Sequence, residues 1–192
     1  MVGQSIVGLG YAPPVLEAFR DEAMRSLALM PAELGVIHWP PRGEPSSTTL
    51  VDESELPLPT GSIDRALVIH VVEHTRHPVE VLREVWRVLE PGGKLLLVVP
   101  NRGGWWSRAE RTPFGNGRPY SRQQLTRLLR DSQFSPTDWG MALHMPPSHR
   151  KTLVKMAPLF ERIGSAVSPP FAGVQGVEAV KQVYSPLPAR GG

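Results

Sequence analysis

The sequence predicts an α/β protein built on a mostly parallel sheet, and three observations carry that expectation. Short aliphatic runs at Ser5–Leu9, Leu27–Met30, Thr48–Val51, Asp64–Val72 and Lys94–Val99 read as buried strands. An amphipathic stretch at Pro78–Leu89 separates the last two. The 21 prolines and 18 glycines fall largely between such segments. Strand alternating with helix implies parallel neighbours joined by right-handed crossovers.

Each element has a local reason. The first run ends in Gly8-Leu9-Gly10, and Pro13 or Pro14 opens a helix over Val15–Met24, since a first-turn proline sacrifices no helical hydrogen bond. Pro31 stops the second strand, and residues 31–46 form a Pro/Gly-rich connection. The third strand ends at Asp52-Glu53, and Pro57, Pro59 and Gly61 precede the fourth. In Pro78–Leu89, Val81, Leu82, Val85, Trp86 and Leu89 share one face, which makes Trp86 a core residue. Glu80, Arg83, Glu84 and Arg87 lie outside that face at ion-pairing distances, and Pro91-Gly92-Gly93 stops the helix. Ser121 caps a helix over Arg122–Arg130. Asp138–His144 is a sixth strand, Thr152–Ser165 a further helix and Val174–Tyr184 a closing strand. One domain over 1–184 with a frayed tail at 185–192 is expected, because single cores commonly run ~100–200 residues.

Composition excludes several classes. With 41% hydrophobic and 20% charged residues the chain is globular. No apolar run approaches the ~18–20 residues of a membrane span, and residues 1–20 show no secretory signal, so a cytoplasmic setting is expected. The absence of cysteine removes disulfides, thiolate zinc sites and cysteine nucleophiles. Net charge is only +3, but residues 101–130 hold seven arginines against Glu110 alone. Such a patch favours an anionic ligand or a protein partner; a solvated face is the alternative. Nucleic acid is disfavoured, because no basic stripe accompanies the patch elsewhere.

In an open parallel sheet, ligands bind beyond the carboxyl ends of the strands. That rule selects Gly8-Leu9-Gly10, Met30, Asp52-Glu53, His70 with Glu73 and His74, and Asn101 onward. A Gly-x-Gly can equally be a plain strand-to-helix turn. His70 and His74 would share a helical face, but without a third ligand no metal site is assigned.

At this point a family resemblance enters. Leu56-Pro57-Leu58-Pro59, Ser62-Ile63-Asp64 and Val71-Val72-Glu73-His74, followed by the block from Leu82-Arg83-Glu84 to Glu90-Pro91-Gly92-Gly93-Lys94-Leu95 and Val98-Val99-Pro100-Asn101, resemble class I S-adenosylmethionine-dependent methyltransferases of the small-molecule, type 11-like branch. The resemblance implies a three-layer Rossmann-like fold with seven strands ordered 3-2-1-4-5-7-6, the seventh antiparallel. It implies S-adenosyl-L-methionine as cofactor and methyl transfer to a small-molecule acceptor. Gly8 and Gly10 map to the turn that meets the methionine part, Asp52 to the acid that accepts from the adenine amine, and Glu53 to backbone along the base. Ile69 and His70 map beside the sulfonium and acceptor, with His70 suited by its side-chain chemistry to take a proton; a merely packed histidine is the alternative, and Glu73-His74 reads as a family-like loop signature with mainly structural work.

Three positions depart from the family pattern. Ile6 replaces an acid, Ala12 a glycine, and Met30 the acid that clamps the ribose hydroxyls. Loss of that clamp weakens binding by about one to two orders of magnitude, given roughly 1.5–3 kcal/mol for a charge-assisted bond; Glu33 is an alternative ribose contact. A degenerate methyltransferase fold kept as a binding or regulatory module is therefore the competing reading. The first strand starts at Ser5, where many relatives carry covering helices, so an open site or an incomplete start is expected. Loop 101–120 reads as a substrate lid. In it Asn101, Trp105, Trp106, Arg108 and Tyr120, with Phe114, would meet an aromatic or anionic acceptor; packing of the indoles beneath a long loop is the alternative.

Overall fold

Alternation of side chains along each strand decides which layer it supports. In the computed structural model, which describes residues 3–32, 35–40, 45–101, 118–142 and 174–183, seven strands form one sheet. They are β1 (Ser5–Gly10), β2 (Arg25–Pro31), β3 (Thr48–Val51), β4 (Ile63–Ile69), β5 (Leu89–Pro100), β6 (Phe134–Ala142) and β7 (Val174–Lys181). Val7, Leu9, Leu29, Ala66, Val68, Leu95 and Leu97 turn to one face. There they bury Val81, Leu82, Val85 and Val88 of α2 (Pro78–Val88) and Leu125, Leu128 and Leu129 of α3 (Arg122–Asp131). The alternate residues Ile6, Ala28, Leu67 and Ile69 turn the other way, under Ala12, Leu16 and Trp39. Leu16 ends α1 (Pro13–Leu16), so the sheet lies between helical layers.

The strand order is β3-β2-β1-β4-β5-β7-β6, parallel from β3 to β5, with β7 antiparallel to both neighbours. From β1 the chain builds outward to β2 and β3, then returns to place β4 on β1's other side. The topological switch point therefore lies between β1 and β4, at their carboxyl ends.

Several expected boundaries are corrected. The helix expected over Val15–Met24 is one turn, Pro13–Leu16, followed by a 3₁₀ turn at Glu17–Phe19. It stops because Gly3 N–H donates to the Glu22 carbonyl and Met24 N–H to the Gln4 carbonyl, drawing 22–24 out alongside the start of β1. β4 ends at Ile69 rather than Val72, because His70 takes a left-handed backbone (φ 55°). α2 ends at Val88, and Leu89 already begins β5; residues 90–93 form an irregularity where Ile63 pairs with Leu89 and Arg65 with Lys94. Trp86 is only partly buried, its ring under the Lys181 ammonium at 3.9 Å. β6 starts at Phe134, earlier than Asp138, and β7 ends at Lys181. Ser121 caps α3 as expected and completes a capping box with Gln124. The helix expected at 152–165 and the tail 185–192 lie outside the described residues. No helix among the described residues is long and apolar enough to cross a membrane.

Candidate functional site

The carboxyl ends of β3, β2, β1 and β4 stand side by side, spanning roughly 14 Å at the ~4.8 Å spacing of neighbouring strands. Each end contributes differently, and the contributions fall into two groups.

At the switch point, Gly10 has φ 81°, and a Cβ there would collide with the Ile69 carbonyl oxygen and Val71 Cγ2. Tyr11 N–H donates to that same carbonyl at 2.9 Å, joining the tips of β1 and β4. Gly8 answers to packing alone, since a Cβ would lie 2.5 Å from Ala12 Cβ and 2.8 Å from Leu16 Cδ1. Ala12 itself has a right-handed backbone (φ −85°, ψ −23°), so its departure from glycine is sterically harmless. Tyr11, which sequence analysis did not single out, is 59% exposed beside Gly10; its place directly after the Gly-x-Gly was the available signal.

His70 follows immediately on β4. Its backbone N–H donates to the Val98 carbonyl at 3.1 Å, and its Nδ1 lies 2.7 Å from Oε1 of Glu73. The Glu73 side chain is fully buried, and its Oε2 has no hydrogen-bond partner among the described residues. Around this pair the chain is stitched together: Arg118 N–H donates to the Glu73 carbonyl at 2.8 Å, and the Tyr120 hydroxyl donates to the Val72 carbonyl at 3.2 Å. Asn101 bridges Tyr120, whose carbonyl accepts from Gln175 Nε2 at 2.5 Å. Burial, then the Glu73 charge, raises the Tyr120 phenol above its ordinary value, while Arg118 opposes them; Tyr120 is a neutral donor at neutral pH.

The second group lies where β3 meets the start of α2. A cleft of about 490 Å³ is lined by Asp52, Glu53 and Ser54 on one side and Thr75, His77, Glu80 and Val81 on the other. That volume is within the ~300–1,000 Å³ of small-molecule sites. Oδ1 of Asp52 accepts from Ser54 Oγ at 2.6 Å and Ser54 N–H at 2.8 Å. Those bonds, the hydroxyl first, hold its carboxyl below the ordinary value and leave an ionised acceptor at the cleft. The turn is braced from behind. Glu84 Oε1 accepts from Leu56 N–H at 2.8 Å, while Arg87 donates to the Leu56 carbonyl at 3.0 Å and to both Glu84 oxygens. The Leu-Pro stretch and the helix acids and arginines of the sequence motif are thus one lock.

Of the residues singled out by sequence, Asp52 and Glu53 share the cleft, while Gly10, Ile69 and His70 share the switch point with Asn101 and Tyr120 nearby. Met30 is buried (3% exposed) and pairs with Leu50 of β3, and Ile6 is buried (1%) under α1. Trp105, Trp106, Arg108, Phe114 and Glu33 lie outside the described residues.

Comparison with known proteins agrees with this geometry. Residues 3–97 match the model of a methyltransferase domain. A probable S-adenosylmethionine-dependent methyltransferase from Mycolicibacterium smegmatis is 32% identical over 133 residues, 68% of this chain and 50% of that protein. The chain thus spans about half the length of that curated relative. Among solved structures, the putative methyltransferase of Haloferax volcanii, in complex with a methyltransferase activator, superposes with a TM-score of 0.68 at 17% identity, covering 96% of this chain and 84% of the other. A possible histamine N-methyltransferase from Thermotoga maritima gives 0.62 at 17%, covering 95% and 84%. The sheet order, the glycine turn and the acid after β3 all agree with the sequence match: the chain belongs to the S-adenosylmethionine-dependent methyltransferase family.

Proposed function

We propose that this chain transfers a methyl group from S-adenosyl-L-methionine to a small-molecule acceptor. The observation that carries the reading is the row of an ionised Asp52, the left-handed Gly10 turn and His70 along one edge of a methyltransferase-type sheet. The residues fit the cofactor at its two ends. Oδ2 of Asp52, which makes no hydrogen bond among the described residues, is suited to the adenine amine, with the Glu53 backbone alongside. Gly10, whose positive φ turns the chain at the tip of β1, supplies the backbone beside which the methionine part would lie. Between them, Met30 offers no carboxylate to the ribose hydroxyls, so the sugar is held without an acid from β2.

When bound, the cofactor supplies an electrophilic methyl on a sulfonium. The chain's own task is alignment and exclusion of water, which govern a direct displacement. Ile69 and His70 stand at the reacting end, where His70 takes a proton from the acceptor. Asn101 and Tyr120 border that end and form part of the acceptor's surroundings, with Trp105, Trp106 and Arg108 proposed to complete them. The acceptor is aromatic or anionic in character, in keeping with the tryptophans and arginines of 101–130.

A second reading, a binding module of methyltransferase fold, is favoured by one observation: Ile6 and Met30 occupy two acid positions as buried apolar residues. Incubation with methyl-labelled cofactor and the small-molecule fraction of a cell extract separates the two. Label entering an acceptor supports the enzyme; label transfer to no fraction, with the protein folded, supports the module.

A further inference from the structure

We propose that Arg65 and Lys94 form a binding site for a phosphoryl group, toward the opposite end of the sheet from the candidate cofactor site. The inference goes beyond methyl transfer and does not depend on it.

Strand register puts two cations side by side. Arg65 of β4 pairs with Lys94 of β5, so both side chains leave the sheet on one face, at the ~4.8 Å spacing of neighbouring strands. Like charges so placed are destabilising. Only one of them is neutralised. Lys94 Nζ meets Oε1 of Glu178 at 2.6 Å. Arg65 Nε donates at 2.6 Å to Oε1 of Gln4, a neutral amide, and no carboxylate among the described residues pairs with its guanidinium. The cluster is left with a positive charge in excess. Arg65 lies near the amino end of β4, four residues and roughly 13 Å before Ile69 at its carboxyl end.

The cluster also encloses a space. Arg65, Lys94 and Glu178 line a depression of about 60 Å³ together with Leu67, Leu96 and Phe19. That volume is several times the ~10–15 Å³ that admits one water; it suits a tetrahedral oxyanion and is too small for a whole metabolite. Donor chemistry then selects the ligand. With Nε engaged by Gln4, the guanidinium offers its two terminal nitrogens as a fork that takes up two oxygens of an anion. The Lys94 ammonium has three N–H donors and gives one to Glu178, so it can meet a third oxygen. A carboxylate has two oxygens and cannot serve both cations in this way, whereas a phosphoryl group has three. The Glu178 carboxylate opposes any such anion and sets a limit on its affinity.

A ligand that binds only the folded chain stabilises it, so the test is thermal unfolding of the full chain in inorganic phosphate, with sodium chloride holding ionic strength constant. Each variant is compared with its own phosphate-free midpoint. The parent's midpoint is expected to rise with phosphate, with half-saturation at millimolar concentration. Arg65→Gln is expected to weaken phosphate about tenfold or more, the scale of losing a charge-assisted fork. Arg127→Gln, on the exposed face of α3, is expected to respond as the parent does. Glu178→Gln is expected to bind phosphate severalfold more tightly; a purely structural ion pair predicts lower stability with no gain in affinity. Phenyl phosphate distinguishes the source of the group. Binding as tight as that of inorganic phosphate supports a phosphorylated ligand whose body lies outside the depression, and binding of inorganic phosphate alone supports the free ion. The proposal is overturned if chloride gives the same rise, if Arg65→Gln responds like the parent, or if Arg127→Gln abolishes the response.

Discussion

Gly8 and Gly10 belong to one turn but answer to different constraints. Gly10 combines φ 81° with a backbone collision for any Cβ, so Gly10→Ala is expected to cost about 3 kcal/mol in denaturant unfolding, from strain and overpacking together. Gly8→Ala presses on Ala12 and Leu16, and about 1–3 kcal/mol is expected there, with the backbone unstrained. If the two losses are reversed, the turn is not built as described. The same comparison explains Ala12: its backbone is right-handed and its side chain fully buried, so the departure from the family's glycine alters packing beneath β1 rather than the ligand's side. These roles were only half legible in the sequence. Spacing marked the turn, but which glycine faces protein and which needs a positive φ depends on β4, which contacts it from sixty residues away.

The brace from α2 to the Leu56 turn is the element on which the cleft depends. Arg87 hydrogen-bonding, ahead of a smaller Coulombic attraction and against some burial, keeps the Glu84 carboxyl below its ordinary 4.5. The stability this adds is present above that ordinary value and is lost as pH falls through the lowered one. Glu84→Ala is expected to cost about 2 kcal/mol at pH 7, because a backbone N–H loses a charged acceptor. Denaturant midpoints at pH 7 and at acid pH check this, and the deficit should shrink toward acid. The sequence revealed α2 itself clearly, through its 3–4 spacing, and placed Glu84 and Arg87 outside the apolar face. It could not reveal that they reach across to Leu56, since that contact is made by the fold. Nor could it shorten the helix expected after Pro14: residues 22–24 have helix-compatible side chains but pair through their backbones with 3–4. His70 and Glu73 stood in the sequence as a polar cluster, and only the left-handed turn at His70 makes them partners.

Taken together, the carboxyl ends of β3, β2, β1 and β4 stand side by side while titrating groups elsewhere set the response to pH. Glu90 shares a hydrogen bond with Asp64, whose other role is to accept from Ser5 N–H at 2.7 Å, and this pairing raises the Glu90 carboxyl above 4.5. A raised carboxyl favours the fold at low pH and forfeits that contribution as pH rises through the raised value, opposite in sign to Glu84. Glu90→Gln is therefore expected to be more stable than the parent at pH 7, with the difference vanishing below pH 4; an unchanged midpoint at pH 7 would refute the pairing. The sheet order was readable from the strand pattern and the family resemblance together, whereas the burial of Ile6 and Met30 emerged only with the packing of both layers. Those two residues sharpen the central claim, that a nucleoside cofactor lies along the strand tips with its base on Asp52 and no carboxylate from β2 on its sugar. Isothermal titration with S-adenosylhomocysteine tests it most directly. The account predicts a micromolar dissociation constant, weakened about tenfold in Asp52→Ala, which corresponds to ~1.4 kcal/mol. A folded protein that gives no heat, or one whose affinity is indifferent to Asp52, would contradict it.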